Sequence, residues 1–145
     1  MVAAVSSTMK NRTDVALILW NKDVIELVSQ VLLTRNLLSR GLEPSEGPDR
    51  MENLIVSGCP RIVIFDLHPP YAGSGRMVLR LMDRFPGLPF VITCADRALA
   101  LKSAPWLSGQ RLFQKPYDID EIAGTVSSMA RRNRIRLAPA PVRAS

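Results

Sequence analysis

Three short, strongly apolar runs constrain the fold of this 145-residue chain more than any other feature of its sequence. The runs are VALIL at residues 15–19, IVIF at 62–65 and FVITC at 90–94. None of them alternates regularly between apolar and polar residues, and this pattern is typical of strands buried on both faces of a sheet. Because segments with helical spacing separate the runs, the sequence predicts an α/β domain whose parallel sheet is covered by helices on both faces.

The remaining segments complete a single doubly wound domain with five strands. A short strand at 41–43 is predicted to lie at a sheet edge, because Pro44 cannot donate to a central ladder, and a fifth strand is predicted at 112–113. The segment HPPYAGSG, residues 68–75, is rich in Pro and Gly and is predicted to be an irregular loop. Helices are predicted over residues 24–32, 48–57, 76–85, 97–107 and 119–134. The predicted boundaries are a disordered lead at 1–13, the domain at 14–134 and a flexible basic tail at 135–145.

The two cysteines, Cys59 and Cys94, each lie beside an apolar run and are expected to be free thiols rather than a disulfide framework. No apolar run approaches the roughly 18–20 residues that are needed to span a bilayer. The first residues also lack the features of a signal peptide. A cytoplasmic location without membrane attachment is therefore expected.

The net charge of +6 is concentrated at the C-terminal end of the chain. No acidic residue follows Glu121, whereas five arginines do: Arg131, Arg132, Arg134, Arg136 and Arg143. Such a segment could bind nucleic acid, but charge alone reports on solubility and non-specific binding rather than on a site. A solvated helix end or linker is the favoured interpretation, and nucleic-acid binding is the alternative.

Chemically useful side chains follow three of the predicted strands. Trp20 and Asn21 follow the first, Asp66 follows the third, and Lys115 follows the fifth. Ligands of doubly wound sheets bind at the carboxyl ends of the strands, so these residues are predicted to share a site. An aspartate can accept a phosphoryl group, and a lysine can neutralise the charge that develops on it. The alternative at this point is a structural Asp66–Lys115 ion pair.

The segment IVIFDLHPP, with Asp66 after the apolar run and Gly73 and Gly75 further on, resembles the phosphoacceptor strand and loop of response-regulator receiver domains. The segment QKPY around Lys115 resembles the Lys-Pro-aromatic motif of the same family, and the similarity covers about residues 15–132. The resemblance implies a flavodoxin-like sheet with strand order 2-1-3-4-5. It also implies that Asp66 is the phosphoacceptor and that Lys115 contacts the phosphoryl group.

The chain departs from the family's pattern at three places. The acid pair that helps to hold Mg²⁺ falls on Trp20 and Asn21, which offer at most one neutral oxygen to a cation that prefers carboxylates. In the closest register, the phosphoryl-binding Ser or Thr falls on Cys94, a weak donor, and strand alternation is expected to point Thr93 the other way. The family carries an aromatic residue three positions before the lysine, and in this chain that position holds Leu112. No metal site is therefore predicted, and Mg²⁺ is expected to bind weakly.

The sequence thus predicts a two-component receiver-type regulatory domain of atypical kind, which docks on a sensor kinase or a downstream effector while phosphorylation of Asp66 is weak or dispensable. Homodimerisation is compatible with this role. The alternatives are a conventional phosphorylation-competent response regulator and a small DNA-associated regulator that uses the arginine-rich tail. An enzyme is not expected, because no Gly-rich phosphate loop follows the first strand and the single histidine, His68, has no evident catalytic partner.

Overall fold

Five parallel strands form one sheet in the computed structural model, which describes residues 13–115 and 118–137. The strands are β1 (Val15–Ile18), β2 (Ser39–Leu42), β3 (Ile62–Asp66), β4 (Phe90–Cys94) and β5 (Arg111–Gln114). Their order is β2-β1-β3-β4-β5, and each neighbouring pair is parallel. The predicted fold class and strand order are therefore confirmed.

Five α-helices connect and cover the strands in the described part of the chain. They are α1 (Lys22–Leu33), α2 (Pro48–Gly58), α3 (Tyr71–Arg84), α4 (Arg97–Ser103) and α5 (Ile119–Leu137). Two short 3₁₀ helices, Pro44–Glu46 and Pro105–Gly109, lie in connections. Side-chain caps begin three of the α-helices. Oxygens of Asn21, Asp96 and Asp118 accept from backbone N–H groups at the starts of α1, α4 and α5.

Two hydrophobic cores lie on opposite faces of the sheet. On one face Leu17, Ile64 and Val91 pack with residues of α1 and α5. On the other face, alternate residues of the same strands pack with α2, α3 and α4, and Phe65 is among the fully buried side chains there. Each buried side chain of this size contributes about 1.5–3 kcal/mol through removal from water. Burial on both faces explains why the strand sequences are apolar without alternation.

The prediction of an irregular loop over residues 68–75 was wrong in its second half, because α3 already begins at Tyr71. Pro69 and Pro70 precede the helix, where a missing backbone donor costs nothing. Gly73 and Gly75 then lie in its first turns. At Gly75 a Cβ would lie 3.4 Å from the Cβ of Ala104, an ordinary van der Waals distance, so this part of α3 contacts the segment after α4.

Smaller differences concern the ends of elements. The edge strand β2 begins at Ser39 rather than at residue 41, and the predicted helix over 97–107 is divided, because the 3₁₀ helix begins at Pro105. Thr13 is buried and its N–H donates to the carbonyl of Gly58, so ordered packing includes the last residue of the predicted lead. The rest of that lead, and the tail beyond Leu137, lie outside the described residues. No described helix is long and apolar enough to cross a membrane.

The early start of α3 predicts opposite effects of the same substitution at two glycines. Gly73→Ala should raise the free energy of unfolding by about 0.5–1 kcal/mol, because alanine restricts the unfolded chain and favours the helix. The nearest atom outside the helix backbone, an Arg76 guanidinium nitrogen, would lie 3.8 Å from the new Cβ. Gly87→Ala is the control, since φ is +87° at Gly87, and it should lower stability by about 1–2 kcal/mol. Urea unfolding measures both, and no gain for Gly73→Ala would contradict a helical start at Tyr71.

Candidate functional site

Asp66 is the last residue of β3, and it is the centre of a polar cluster at the carboxyl end of the sheet. The residue is 3% exposed. The Nζ atom of Lys115, just after β5, lies 2.8 Å from Asp66 Oδ2, and the lysine side chain is 42% exposed. The structure thus brings Asp66 and Lys115 together as predicted. The ammonium group compensates a carboxylate that is almost removed from water.

Thr93 supplies the second partner of this carboxylate. Its hydroxyl donates to Asp66 Oδ1 at 2.8 Å in a buried hydrogen bond, so that both carboxylate oxygens accept a bond from a protein side chain. The prediction that Thr93 points away from the site was wrong. Asp66 belongs to β3 rather than following it, and the register pairs Asp66 with Thr93, which places both side chains on the same face of the sheet.

Cys94, the residue assigned from sequence to the phosphoryl-binding position, lies on the opposite face. It is fully buried in the core cluster that also contains Phe65 and Ile92. Burial raises the pKa of its thiol above the ordinary value, and the negative charges of Asp66 and Asp96 act in the same direction. The thiol is therefore neutral and packed in the core, and nothing in this placement supports the predicted phosphoryl contact. No local sequence signal identifies Thr93 as the partner of Asp66, because its direction depends on the register between β3 and β4.

Trp20 lies over the site from the end of β1. Its indole Nε1–H donates to the backbone carbonyl of Asp66 at 3.0 Å. Its ring packs on the His68 imidazole, with the ring centroids 4.6 Å apart and the planes tilted by 38°. The bulky residue at an expected acid position is therefore held in place by one polar contact and one ring contact. The role of His68 as a stacking partner was not predicted, and no sequence signal indicates it.

Asn21, the other expected acid position, is engaged in a helix cap. Its side-chain oxygen accepts from the N–H of Asp23 at 2.8 Å and from that of Val24 at 3.4 Å. Asp23 itself lies exposed in the first turn of α1. Among the described residues, no group of three or more His, Cys, Asp or Glu side chains could hold a metal ion. The donor set around Asp66 does not fit the Mg²⁺ that the receiver family implies, because that ion prefers carboxylate oxygens.

The loop between β4 and α4 is tied to its surroundings by side chains other than Asp66. The N–H of Asp96 donates to the Tyr71 hydroxyl at 3.0 Å, and the N–H of Arg97 donates to Gln114 Oε1 at 2.7 Å. The Arg97 guanidinium also donates to the carbonyl of Leu112 at 2.9 Å. These bonds connect the loop to α3 and β5 directly. None of these side-chain contacts was predicted from the sequence.

Leu112, which stands at the family's aromatic position, and its neighbour Phe113 in β5 point to opposite faces of the sheet. Leu112 is buried in the core cluster that contains Cys94, and Phe113 packs against the other cluster. Phe113 pairs with Thr93 in the ladder between β4 and β5. The aromatic ring therefore lies on the Asp66 face of the sheet, one residue from the position where the family carries one.

A cavity of about 290 Å³ opens beside the polar cluster, between the start of α1 and the start of α5. Its walls are mostly apolar, and the charged Asp66 and Lys115 contribute to one part of it. The lining residues are Leu19, Trp20, Asn21, Val24, Asp66, Lys115 and Ile119.

Comparison with models of known protein families gives no match, and no curated protein matches the sequence significantly. Similar folds are found among solved structures. A CheY-like receiver domain from Methanospirillum hungatei is 10% identical with a TM-score of 0.68, and covers 86% of this chain and 98% of its own. The receiver domain of a putative Luxo repressor from Vibrio parahaemolyticus is 18% identical with a TM-score of 0.66, covering 86% and 95%. The receiver domain of nitrogen regulatory protein C is 20% identical with a TM-score of 0.65, covering 84% and 97%.

At these identities the similarity establishes the fold. The fold of this chain is that of response-regulator receiver domains, as the motifs around Asp66 and Lys115 indicated. Asp66 lies at the carboxyl edge of the sheet, the edge at which such α/β folds bind ligands.

The buried bond between Thr93 and Asp66 predicts a cost for removing the hydroxyl. Thr93→Val keeps the side-chain shape but leaves Asp66 Oδ1 without this donor, and should lower the free energy of unfolding by about 1–3 kcal/mol. Thr34→Val, at an exposed hydroxyl after α1, is the matched control and should change stability by less than about 0.5 kcal/mol. Denaturant titration at neutral pH measures both. Equal effects of the two variants would show that the Thr93 bond contributes nothing specific.

Proposed function

We propose that this chain is a two-component receiver-type regulatory domain that docks on a protein partner, with Asp66 at the phosphoacceptor position and with phosphorylation weak or dispensable. The observation that supports the proposal is that both oxygens of the Asp66 carboxylate already accept hydrogen bonds. Each of its oxygens already accepts from a fixed protein donor, Thr93 on one side and Lys115 on the other. A phosphoryl group on Asp66 would have to displace at least one of these bonds.

The charge balance of the site supports the same proposal. Phosphorylation would convert the Asp66 carboxylate into an acyl phosphate, so that its single negative charge is replaced by a group with about two negative charges and three acceptor oxygens. Without a divalent ion, Lys115 is the one cation among the described residues that line the cavity. Trp20 offers no oxygen there, and the Asn21 oxygen is already engaged at the start of α1. The negative charge would therefore be poorly compensated, in contrast to a site with an acid pair and Mg²⁺.

The tethered loop between β4 and α4 supports a function that does not require a phosphoryl signal. In the family that this chain resembles, the loop moves when its Ser or Thr binds the phosphoryl group. In this chain Tyr71 and Gln114 hold the backbone of Asp96 and Arg97 independently of Asp66. Neither bond involves a phosphoryl group, so we expect the loop and the adjoining surface to keep this arrangement without phosphorylation.

The surface formed by α4, β5 and α5 is the proposed docking face. It carries the exposed cations Arg97, Lys102 and Arg111, together with Leu99, whose side chain is 47% exposed. An exposed leucine among cations suits a partner with an apolar anchor and an acidic rim. A sensor kinase or a downstream effector with such a surface is the proposed partner.

The competing assignment is a phosphorylation-competent receiver in which Asn21, Asp23 and waters hold a metal ion, and beryllium fluoride with Mg²⁺ separates the two. Isothermal titration should detect no saturable Mg²⁺ binding below about 1 mM, because carboxylate ligands are missing. The amide resonances of Asp96 and Arg97 should also keep their positions. The double variant Trp20→Asp, Asn21→Asp should bind Mg²⁺ more tightly, since it restores two carboxylates. Sub-millimolar binding by the unaltered chain, together with shifts of the loop resonances, would establish the competing assignment.

A second candidate function, nucleic-acid binding, is favoured by one observation. Arg131 and Arg132 are exposed on α5, and no acidic residue follows Glu121 in the sequence. Three or four arginine–phosphate contacts would make log affinity fall with log salt at a slope of roughly −3 to −4. Such binding would be indifferent to base sequence.

We expect only weak duplex binding at low salt, because the arginine segment is proposed to be a helix end and linker. Fluorescence anisotropy with a labelled duplex at two salt concentrations measures the slope. A chain that ends at residue 133 is the comparison, and it should keep the melting temperature within about 2 °C, since few apolar groups are removed. Micromolar binding at physiological salt that the truncation abolishes would establish the nucleic-acid function instead.

A further inference from the structure

The cavity beside Asp66 is lined mainly by apolar side chains, which neither a metal ion nor a phosphoryl group requires. Leu19, Val24 and Ile119 form apolar walls, and the Trp20 ring adds an aromatic surface. Its volume of about 290 Å³ lies just below the range for small-molecule pockets, which begins at about 300 Å³. A largely apolar pocket with a few convergent polar groups is the usual form of a site for a small organic ligand.

The polar groups at this cavity already have hydrogen-bond partners, and only Lys115 has donors left for a ligand. The Trp20 N–H is bound to the Asp66 carbonyl, and the Asn21 oxygen is bound at the start of α1. Lys115 differs, because an ammonium group has three donors, and its contact with Asp66 Oδ2 requires only one of them. The side chain is also 42% exposed. Lys115 can therefore bind an acceptor atom of a ligand while it retains its bond to Asp66.

The geometry points to a binding site for small monocarboxylic acids with an aromatic or branched apolar body, in which the ligand carboxylate binds Lys115 and the body packs between Trp20, Val24 and Ile119. Lys115 would then lie between two carboxylates, that of Asp66 and that of the ligand. A monoanion is preferred over a phosphate dianion, because a single lysine compensates one added negative charge better than it compensates two negative charges. The apolar body is preferred over a sugar or a polyol, because the walls provide few hydrogen-bond partners.

This inference builds on the metal-free site proposed above, but its test uses neither Mg²⁺ nor a phosphoryl mimic. The two proposals can therefore fail separately. Benzoate is the probe, with benzamide as its uncharged analogue and phenyl phosphate as its dianionic analogue. Titrations of the full chain are followed by ¹H–¹⁵N NMR through the indole N–H of Trp20 and the amides of Val24 and Ile119. The indole N–H of Trp106, which packs beside Gly75 away from this cavity, is an internal control.

Benzoate should shift the Trp20 indole resonance saturably, with a Kd on the order of millimolar or tighter for so small a ligand, and should leave Trp106 unmoved. Benzamide should bind about tenfold more weakly, because it lacks the charge-assisted bond to Lys115. Phenyl phosphate should also bind more weakly than benzoate. Tighter binding of phenyl phosphate would replace the carboxylate by a phosphoester as the ligand class and overturn the proposal.

Two variants connect binding to the cavity. Lys115→Met should weaken benzoate binding about tenfold, whereas Lys102→Met, at an exposed lysine on α4, should leave it unchanged. Val24→Phe fills the cavity without altering charge and should abolish binding even if Lys115→Met disturbs the fold. The proposal is overturned if benzoate produces no saturable shift up to about 20 mM, well beyond a millimolar Kd. It is also overturned if Val24→Phe binds benzoate as the unaltered chain does.

Discussion

The carboxylate of Asp66 sets the conditions that the rest of the site has to meet. A charge that is almost fully buried at the end of a central strand is costly unless it is paired and hydrogen-bonded. Here Thr93 reaches it from the neighbouring strand and Lys115 from the end of β5. Both partners are available because parallel strands end at the same edge of the sheet, so that residues far apart in sequence meet there. The contacts of Asp66 therefore depend on the strand order, on the register between β3 and β4, and on the position of β5.

The indole of Trp20 changes what that interaction can do. An acid at this position would add negative charge and require a cation, whereas the indole adds apolar surface and one N–H donor. That donor binds the Asp66 carbonyl, and the ring packs on His68. The neighbouring Asn21 uses its oxygen to begin α1. The edge of the sheet thus keeps its charged pair beside an apolar cavity. This is why we propose small-acid binding at the cavity and docking through the face formed by α4, β5 and α5, rather than metal-dependent phosphoryl transfer.

Local sequence signals predicted the parts of this structure that depend on local chemistry. The apolar runs located β1, β3 and β4, and the two motifs located Asp66 and Lys115 at the correct strand ends. The start of α3 was missed because its first turns contain Gly73 and Gly75, and glycines next to prolines are a local signal of a loop. Thr93 was assigned to the wrong face because its direction depends on the register between β3 and β4.

The sequence by itself determined that the chain forms an alternating α/β domain, since apolar runs without alternation must be buried on both faces. It also determined which residue types stand at the strand ends, including the absence of an acid pair after β1. Only the tertiary structure decided that Thr93 rather than Cys94 faces Asp66, that Trp20 packs on His68, and that Tyr71 and Gln114 hold the loop before α4. These contacts depend on side-chain direction and on the distance between segments that are separated along the chain. No local pattern encodes those quantities, because they are fixed when the sheet and its helices pack together.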